Sequence, residues 1–179
     1  MYYQVDCELP IGKITMASDG ESLTGLWLEG QKYFGRTAGN ELCRRDDLPV
    51  FAAAKSWLER YFSGRQPTIS ELPLAPFGSE FQKGVWALLC QIPYGEVTTY
   101  GAIGKQIAKR DCLPAMSARA VSQAVAHNPI SIIIPCHRVV GTNGILTGYA
   151  GGIDKKVALL EMEHADMSRF FVPRKGTAL

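Results

Sequence analysis

Tyr3, Val5 and Cys7 alternate with Gln4, Asp6 and Glu8, the period of two that lays one face of a strand on a core. Pro10-Ile11-Gly12 predicts a turn. Ile14, Met16 and the run Leu23–Leu28 predict two further strands, divided by the turn pair Asp19-Gly20. Residues 30–49 are polar, contain glycine and keep no period, so they read mostly as loop. The period then changes. Phe51, Ala54, Leu58, Tyr61 and Phe62 mark one face of a helix, and Gly64 stands where a helix-ending glycine is expected. Strands followed by a helix predict a small α/β domain. Pro67, Pro73 and Pro76 punctuate residues 65–78, which places a domain junction near residue 75 and divides the chain into 1–75 and 76–179.

The second part reads as mostly α-helical. Ser79 and Gln82 fit a capping box ahead of a helix whose face carries Phe81, Val85, Leu88, Leu89 and Ile92. Pro93-Tyr94-Gly95 ends it. Thr98 is placed to cap a helix bearing Tyr100, Ile103 and Ile107. A turn-rich stretch, Lys109–Met116, leads to Ser117 as the cap of an alanine-rich helix, Ala118–Ala126. Two short helices joined by a turn suggest a helix-turn-helix. Small side chains on the second would let its backbone approach a grooved partner, or would simply allow close helix packing. Asn128-Pro129 ends that helix. Ser131–Ile134 is an apolar run expected to be buried and extended, and it leads into Pro135-Cys136-His137-Arg138-Val139. Glycines at 141, 144, 148, 151 and 152 predict an irregular loop. A last helix is expected over Ile153–His164, with Val157, Leu160 and His164 on one face.

Composition changes this picture little. The 179 residues are 46% hydrophobic and 20% charged, as in an ordinary globular protein. The net charge of +2 announces no partner, but it is uneven: residues 1–76 carry 8 basic and 10 acidic side chains, residues 77–179 carry 11 and 7. No segment approaches a membrane span, and the N-terminus has no basic, apolar leader pattern. The five cysteines are odd in number and form no CxxC pair, which argues against a disulfide framework or zinc knuckle and leaves room for a reactive thiol. A reducing, cytoplasmic setting is the expectation.

The chemistry concentrates at Pro135–Val139. A thiol becomes a nucleophile when a neighbouring imidazole or cation favours its thiolate, and His137 and Arg138 supply both types beside Cys136. A Cys-His pair is equally compatible with a buried structural thiol. Glu163, near the end of the last helix, could orient His137 or be a solvated surface carboxylate. Arg119, a cation in the first turn of its helix against the dipole, could be a DNA contact or a solvated side chain. His127 and His164 read as structural. The three histidines lie in separate segments, so a metal site has no support.

Together these motifs resemble the O6-alkylguanine-DNA alkyltransferases. The resemblance rests on Ile134-Pro135-Cys136-His137-Arg138-Val139, with Pro93-Tyr94-Gly95, Thr98-Thr99-Tyr100-Gly101, Ala118-Arg119-Ala120-Val121, Asn128-Pro129 and Gly148-Tyr149-Ala150-Gly151-Gly152 in order around it. It is dense from about residue 79 to 164. Before residue 75 it is thinner, carried by Leu58-Glu59-Arg60-Tyr61-Phe62-Ser63-Gly64.

The resemblance implies a ribonuclease-H-like fold for residues 1–75 and a winged helix-turn-helix in the remainder. It implies direct, single-turnover transfer of the alkyl group of O6-methylguanine, or O4-methylthymine, from duplex DNA to Cys136, without cofactor, metal or obligate protein partner. By resemblance His137 takes the thiol proton through a water, Glu163 orients it, and Tyr100 protonates the leaving base. Arg119 fills the stack vacated by the flipped nucleotide, with Ala118 and Ala120 facing the minor groove. Asn128 ties the recognition helix to the active-site segment. Ser131, Val139, Tyr149 and Ala150 line the base pocket. The chain departs from the common pattern in a longer turn over Ala108–Ser117, in Ser131 where some members carry proline, which implies a roomier pocket, and in Ala150 where others carry serine. A lesion-binding protein without transfer, and a Cys–His hydrolase, are the competing readings.

Overall fold

A computed structural model of the protein describes residues 1–35 and 42–173. The chain divides into two compact units: Met1–Gly78 with Pro129–Ile133, and Ser79–Asn128 with the chain from Ile134 onward.

In the first unit a four-stranded sheet runs in the order β3-β2-β1-β4, with β1 Tyr2–Leu9, β2 Gly12–Ser18, β3 Leu23–Leu28 and β4 Leu42–Arg44. Pairing is antiparallel across β1–β2 and β2–β3 and parallel between β1 and β4. Both expected turns are present. Gly12 takes a φ of 112°, and the Asp19 carboxylate accepts the Glu21 and Ser22 N–H groups at 3.0 and 2.7 Å. Every residue of β3 is buried, and helix α1, Pro49–Phe62, packs on β2 and β3. At its end the Gly64 N–H reaches the Tyr61 carbonyl and the Arg65 N–H reaches Arg60, the paired bonds of a Schellman motif with glycine at φ 81°.

Two expectations for this unit need adjustment. The stretch 30–49 is not all loop, because Leu42–Arg44 joins the sheet as an edge strand. Three residues with one half-buried side chain carry no local period, and only the distant partner β1 makes them a strand. The rest of that expectation over 36–41, like the tail 174–179, lies outside the described residues. The run after Asn128 is buried as expected but is not extended. Pro129–Ile133 folds along β3, with the Leu26 N–H on the Pro129 carbonyl at 2.8 Å and the Ser131 N–H on Leu26 at 2.9 Å. It then turns sharply at Ile132, whose φ is 70°.

The second unit is built from α2 Glu80–Leu89, β5 Thr98–Thr99, α3 Tyr100–Arg110, α4 Ala118–Ala126, β6 Val139–Val140 and α5 Ile153–Met162. Ser79 and Gln82 close the capping box on α2 in both directions. This helix buries Val85, Trp86 and Leu89, and it ends before Ile92. Thr99, one residue later than expected, caps α3 by accepting the Ala102 N–H, and Thr98 and Thr99 pair with Val139 and Val140 in a short parallel ladder. Ser117 caps α4 as expected. Helix α5 stops at Met162. His164 lies beyond it, exposed at φ 58°, and the bonds from His164 to Glu161 and from Ala165 to Leu160 form a second Schellman motif with histidine in the usual glycine place. Val140, Leu146, Leu160 and Ala165 form a small core around that helix end.

The buried Trp86 indole donates to the Ala124 carbonyl at 2.9 Å, satisfying one of the unpaired carbonyls at the end of α4. Trp86→Phe keeps the apolar bulk and orphans that carbonyl. It should lower unfolding free energy by about 1–3 kcal/mol, read from urea titration.

Candidate active site

Cys136 opens a 3-10 turn, Cys136–Arg138, and is 5% exposed. Pro135, at φ −80° and ψ 64°, is the centre of a three-residue turn in which the Cys136 N–H returns to the Ile134 carbonyl at 2.8 Å. That reversal carries the chain from the buried run into the thiol. Asn128, just past the end of α4, sends its amide Nδ2 to the Ile134 carbonyl at 2.8 Å and to Cys136 Sγ at 3.1 Å. Burial pushes the Cys136 thiol up from its ordinary value, and the Asn128 hydrogen bond and the charge of Lys156 pull against it.

His137 and Arg138 turn toward one carboxylate. Glu163 is the C-cap residue of α5 and is buried. Its Oε1 lies 2.7 Å from His137 Nε2 and accepts from Arg138 Nη2 at 2.9 Å. Its Oε2 accepts from Arg138 Nε at 2.8 Å and from the Gly95 N–H at 3.2 Å. Burial by itself would raise this carboxyl, but the hydrogen bonds from His137 and Arg138 outweigh it and hold Glu163 far below the usual carboxylate range. Burial lowers the His137 imidazole despite its glutamate, so the ring rests neutral and able to take a proton. Arg138 also donates to the Ile92 carbonyl at 2.6 Å and lies over the Tyr94 ring. The turn Pro93-Tyr94-Gly95 is thereby held against the end of α5. A Cβ at Gly95 would come within 2.7 Å of the Glu163 carbonyl, so the turn needs glycine there.

The sequence places Arg138 beside the thiol as an activating cation; the structure gives it to Glu163. The cation that acts on Cys136 is Lys156, which sequence reasoning missed. Its side chain is wholly buried, and Nζ donates to the Val139 carbonyl at 2.6 Å and the Thr147 carbonyl at 2.9 Å. Burial brings it down to about 8. A signal was present: Lys156 stands three residues after Ile153 and four before Leu160, on the stripe that an amphipathic helix buries.

Tyr100, the first residue of α3, is buried and donates its hydroxyl to the same Thr147 carbonyl at 3.2 Å. Burial, with Cys136 nearby, raises its phenol. Gly148, at φ 67°, passes so close that a Cβ there would lie 2.9 Å from the Tyr100 oxygen. Tyr149 is buried, and its hydroxyl has no hydrogen-bond partner among the described residues. Ala150 is half-buried in the turn immediately after it. Arg119 and Ala118 are exposed in the first turn of α4, and Ala120 is half-buried there. Ser131 folds with the first unit, its hydroxyl donating to Gln31 at 2.9 Å. Among the described residues no three His, Cys, Asp or Glu side chains gather as a metal would require.

Comparison with known proteins places this arrangement. Residues 80–165 match the 6-O-methylguanine DNA methyltransferase DNA-binding domain, and residues 1–76 match the ribonuclease-like domain of the same proteins. The chain belongs to the methylated-DNA–protein-cysteine methyltransferase family. A methyltransferase of that name from Haemophilus influenzae is 41% identical over 154 residues, covering 86% of this chain and 82% of its own. One from Methanosarcina acetivorans is 44% identical over 168 residues, covering 91% and 98%. Among solved structures, Mycobacterium tuberculosis OGT in complex with DNA aligns with a TM-score of 0.77 at 39% identity, over 94% of each chain. The family match thus extends to the first 76 residues, where the motifs of the chain itself are thinnest.

The Glu163 cluster should make the protein sensitive to acid. The carboxyl titrates near 4.5 when unfolded and lower when folded, so its stabilisation is complete above that value and is lost as pH falls below it. Glu163→Gln leaves the buried Arg138 without its counter-charge and should cost about 3–5 kcal/mol at neutral pH. The difference from wild type should shrink below pH 4.5, as read from thermal melts across pH.

Proposed function

We propose that the protein is a DNA-repair alkyl acceptor. It takes the alkyl group of O6-methylguanine, and of O4-methylthymine by the same displacement, from duplex DNA onto Cys136, once per chain and without cofactor. The observation that carries this reading is the buried Cys136 thiol, held by Asn128 and followed directly by a neutral His137 paired with Glu163. A neutral imidazole backed by a carboxylate is a proton acceptor for a thiol. The thiol proton passes through a water to His137. The thiolate attacks the alkyl carbon, the S–C bond forms as the C–O bond to the base breaks, and the departing base takes a proton from Tyr100. The resulting thioether has no hydrolytic exit, so the chain acts once. A thiol that must stay reduced suits a reducing, cytoplasmic compartment.

The lesion lies inside a duplex and has to be extruded to reach a buried sulfur, at a few kcal/mol that a damaged pair lowers. We assign α3 and α4 to a helix-turn-helix docked in the minor groove. Arg119 is exposed on the first turn of α4, free of the buried cluster, and Ala118 beside it adds no bulk. That is where a side chain entering the vacated stack would stand. Tyr149, whose hydroxyl has no partner among the described residues, Val139 and Ala150 are assigned to the wall of the base pocket. The DNA seen with the Mycobacterium tuberculosis relative supports the same partner class here. Cys136 itself favours transfer over lesion binding alone.

Three outcomes test the reading. Duplex DNA carrying radiolabelled O6-methylguanine should pass its label to protein until the amount equals that of the chain, and Cys136→Ala should abolish the transfer; continued turnover would favour a hydrolase. Arg119→Ala should slow repair of duplex more than reaction with a free-base analogue, and equal losses would remove Arg119 from the stack. DNA affinity should fall as salt rises.

A further inference from the structure

We propose that Gln31 is a positioning residue for the acceptor thiol, acting through Ser131 and the turn at Ile132. The observation begins with a backbone irregularity four residues before Cys136. The Ile133 N–H bonds to the Ser131 carbonyl at 2.8 Å, so Ser131–Ile133 is a three-residue turn, and its central residue has a φ of 70°. Positive φ in a tight turn of this kind is strained, and a β-branched side chain makes it more so. Ile132 is nevertheless 1% exposed, in a run with no exposed residue from Ile130 to Val140. Such a conformation persists where its surroundings over-determine it.

Three bonds do so here, all on one side of the turn. The main chain of Pro129 and Ser131 bonds to Leu26 in both directions. The Ser131 hydroxyl donates to Gln31 Oε1 at 2.9 Å, and the same oxygen accepts the Leu28 N–H at 3.0 Å. Gln31 is buried and its own N–H bonds to the Leu28 carbonyl, so the acceptor is rigidly placed. On the other side of the turn, Asn128 bridges the Ile134 carbonyl and Cys136 Sγ. Asn128 and Ile134 flank the tethered segment, so the span between them, and with it the position of the Asn128 amide at the sulfur, depends on the turn keeping its shape. Gln31 has no place in the alkyl-transfer chemistry itself. Its side chain is where the strained turn is fastened.

This rests on the reading of Cys136 as acceptor, and the test separates the two. Wild type and Gln31→Ala are treated with iodoacetamide across pH, without DNA, and modification of Cys136 is followed by mass spectrometry. Gln31→Ala should slow it about two- to ten-fold at neutral pH, the factor of one net hydrogen bond, and move the thiol midpoint upward by about 0.3–1 unit. The same substitution in an Ile132→Gly background should cost less than about two-fold, because glycine holds positive φ without a tether. Ser131→Ala removes the same bond from its other end and carries the test if Gln31→Ala does not fold. An unchanged midpoint and rate, or equal losses in both backgrounds, overturns the proposal. A shifted midpoint in a protein that takes no label from DNA would keep the positioning role and discard the acceptor reading.

Discussion

The Glu163 carboxylate is the constraint on which the second unit depends. A buried anion is tolerated only when its lone pairs are taken and its charge is met, and both conditions are satisfied by residues from separate segments. His137 and Arg138 come from the turn after the thiol, the Gly95 N–H from the turn after α2, and Glu163 itself closes α5. Each segment is irregular and could not hold its shape alone. Joined at one carboxylate, they become a fixed frame. The Schellman motif at His164 belongs to the same design. It stops α5 at Met162, so that Glu163 leaves the helix with its side chain inward.

Charge balance then decides which form of the thiol the site favours. Arg138 offsets Glu163 through two hydrogen bonds, and burial keeps His137 neutral. That leaves Lys156, whose nitrogen is fastened to two carbonyls and whose charge has no carboxylate among those contacts. With Cys136 as a thiol the buried set carries one surplus positive charge; with a thiolate it is neutral. Desolvation opposes the thiolate, while Lys156 and the Asn128 amide favour it. The sulfur thus stays a thiol at rest and gains a compensated site once its proton has left.

Much of this was legible in the sequence because it is local. The alternation in β1, the helical face of α1, the Ser79 capping box and the alanine-rich α4 each show within a few residues. The Cys136–His137 pair and Glu163 came from motif resemblance, which spacing could not have joined across 25 intervening positions. What stayed hidden depends on tertiary partners. The strand Leu42–Arg44 exists only through β1, and the helix end at His164 uses histidine in place of the glycine that would have marked it. The isoleucines before Cys136 have the composition of a buried strand, and their burial was predicted rightly. Their turn geometry is imposed by bonds to Leu26 and Gln31, about a hundred residues earlier, which no local pattern contains.

The two kinds of anchor around Cys136 differ in chemistry, and the difference matters for the proposed role of Cys136 as an acceptor that reacts once. Downstream, the sulfur is flanked by an ionic cluster whose strength depends on exclusion of water and on pH. Upstream, it is approached through neutral hydrogen bonds and a strained turn, which respond weakly to pH and sharply to geometry. A nucleophile aimed at a single carbon needs its direction held independently of its protonation. If the same group both oriented the sulfur and received its proton, orientation would change at the moment of transfer. In the proposed reaction, placing the proton acceptor on His137 and Glu163, and the aim on Asn128 and the segment behind it, would let the proton leave while the sulfur keeps its line of attack.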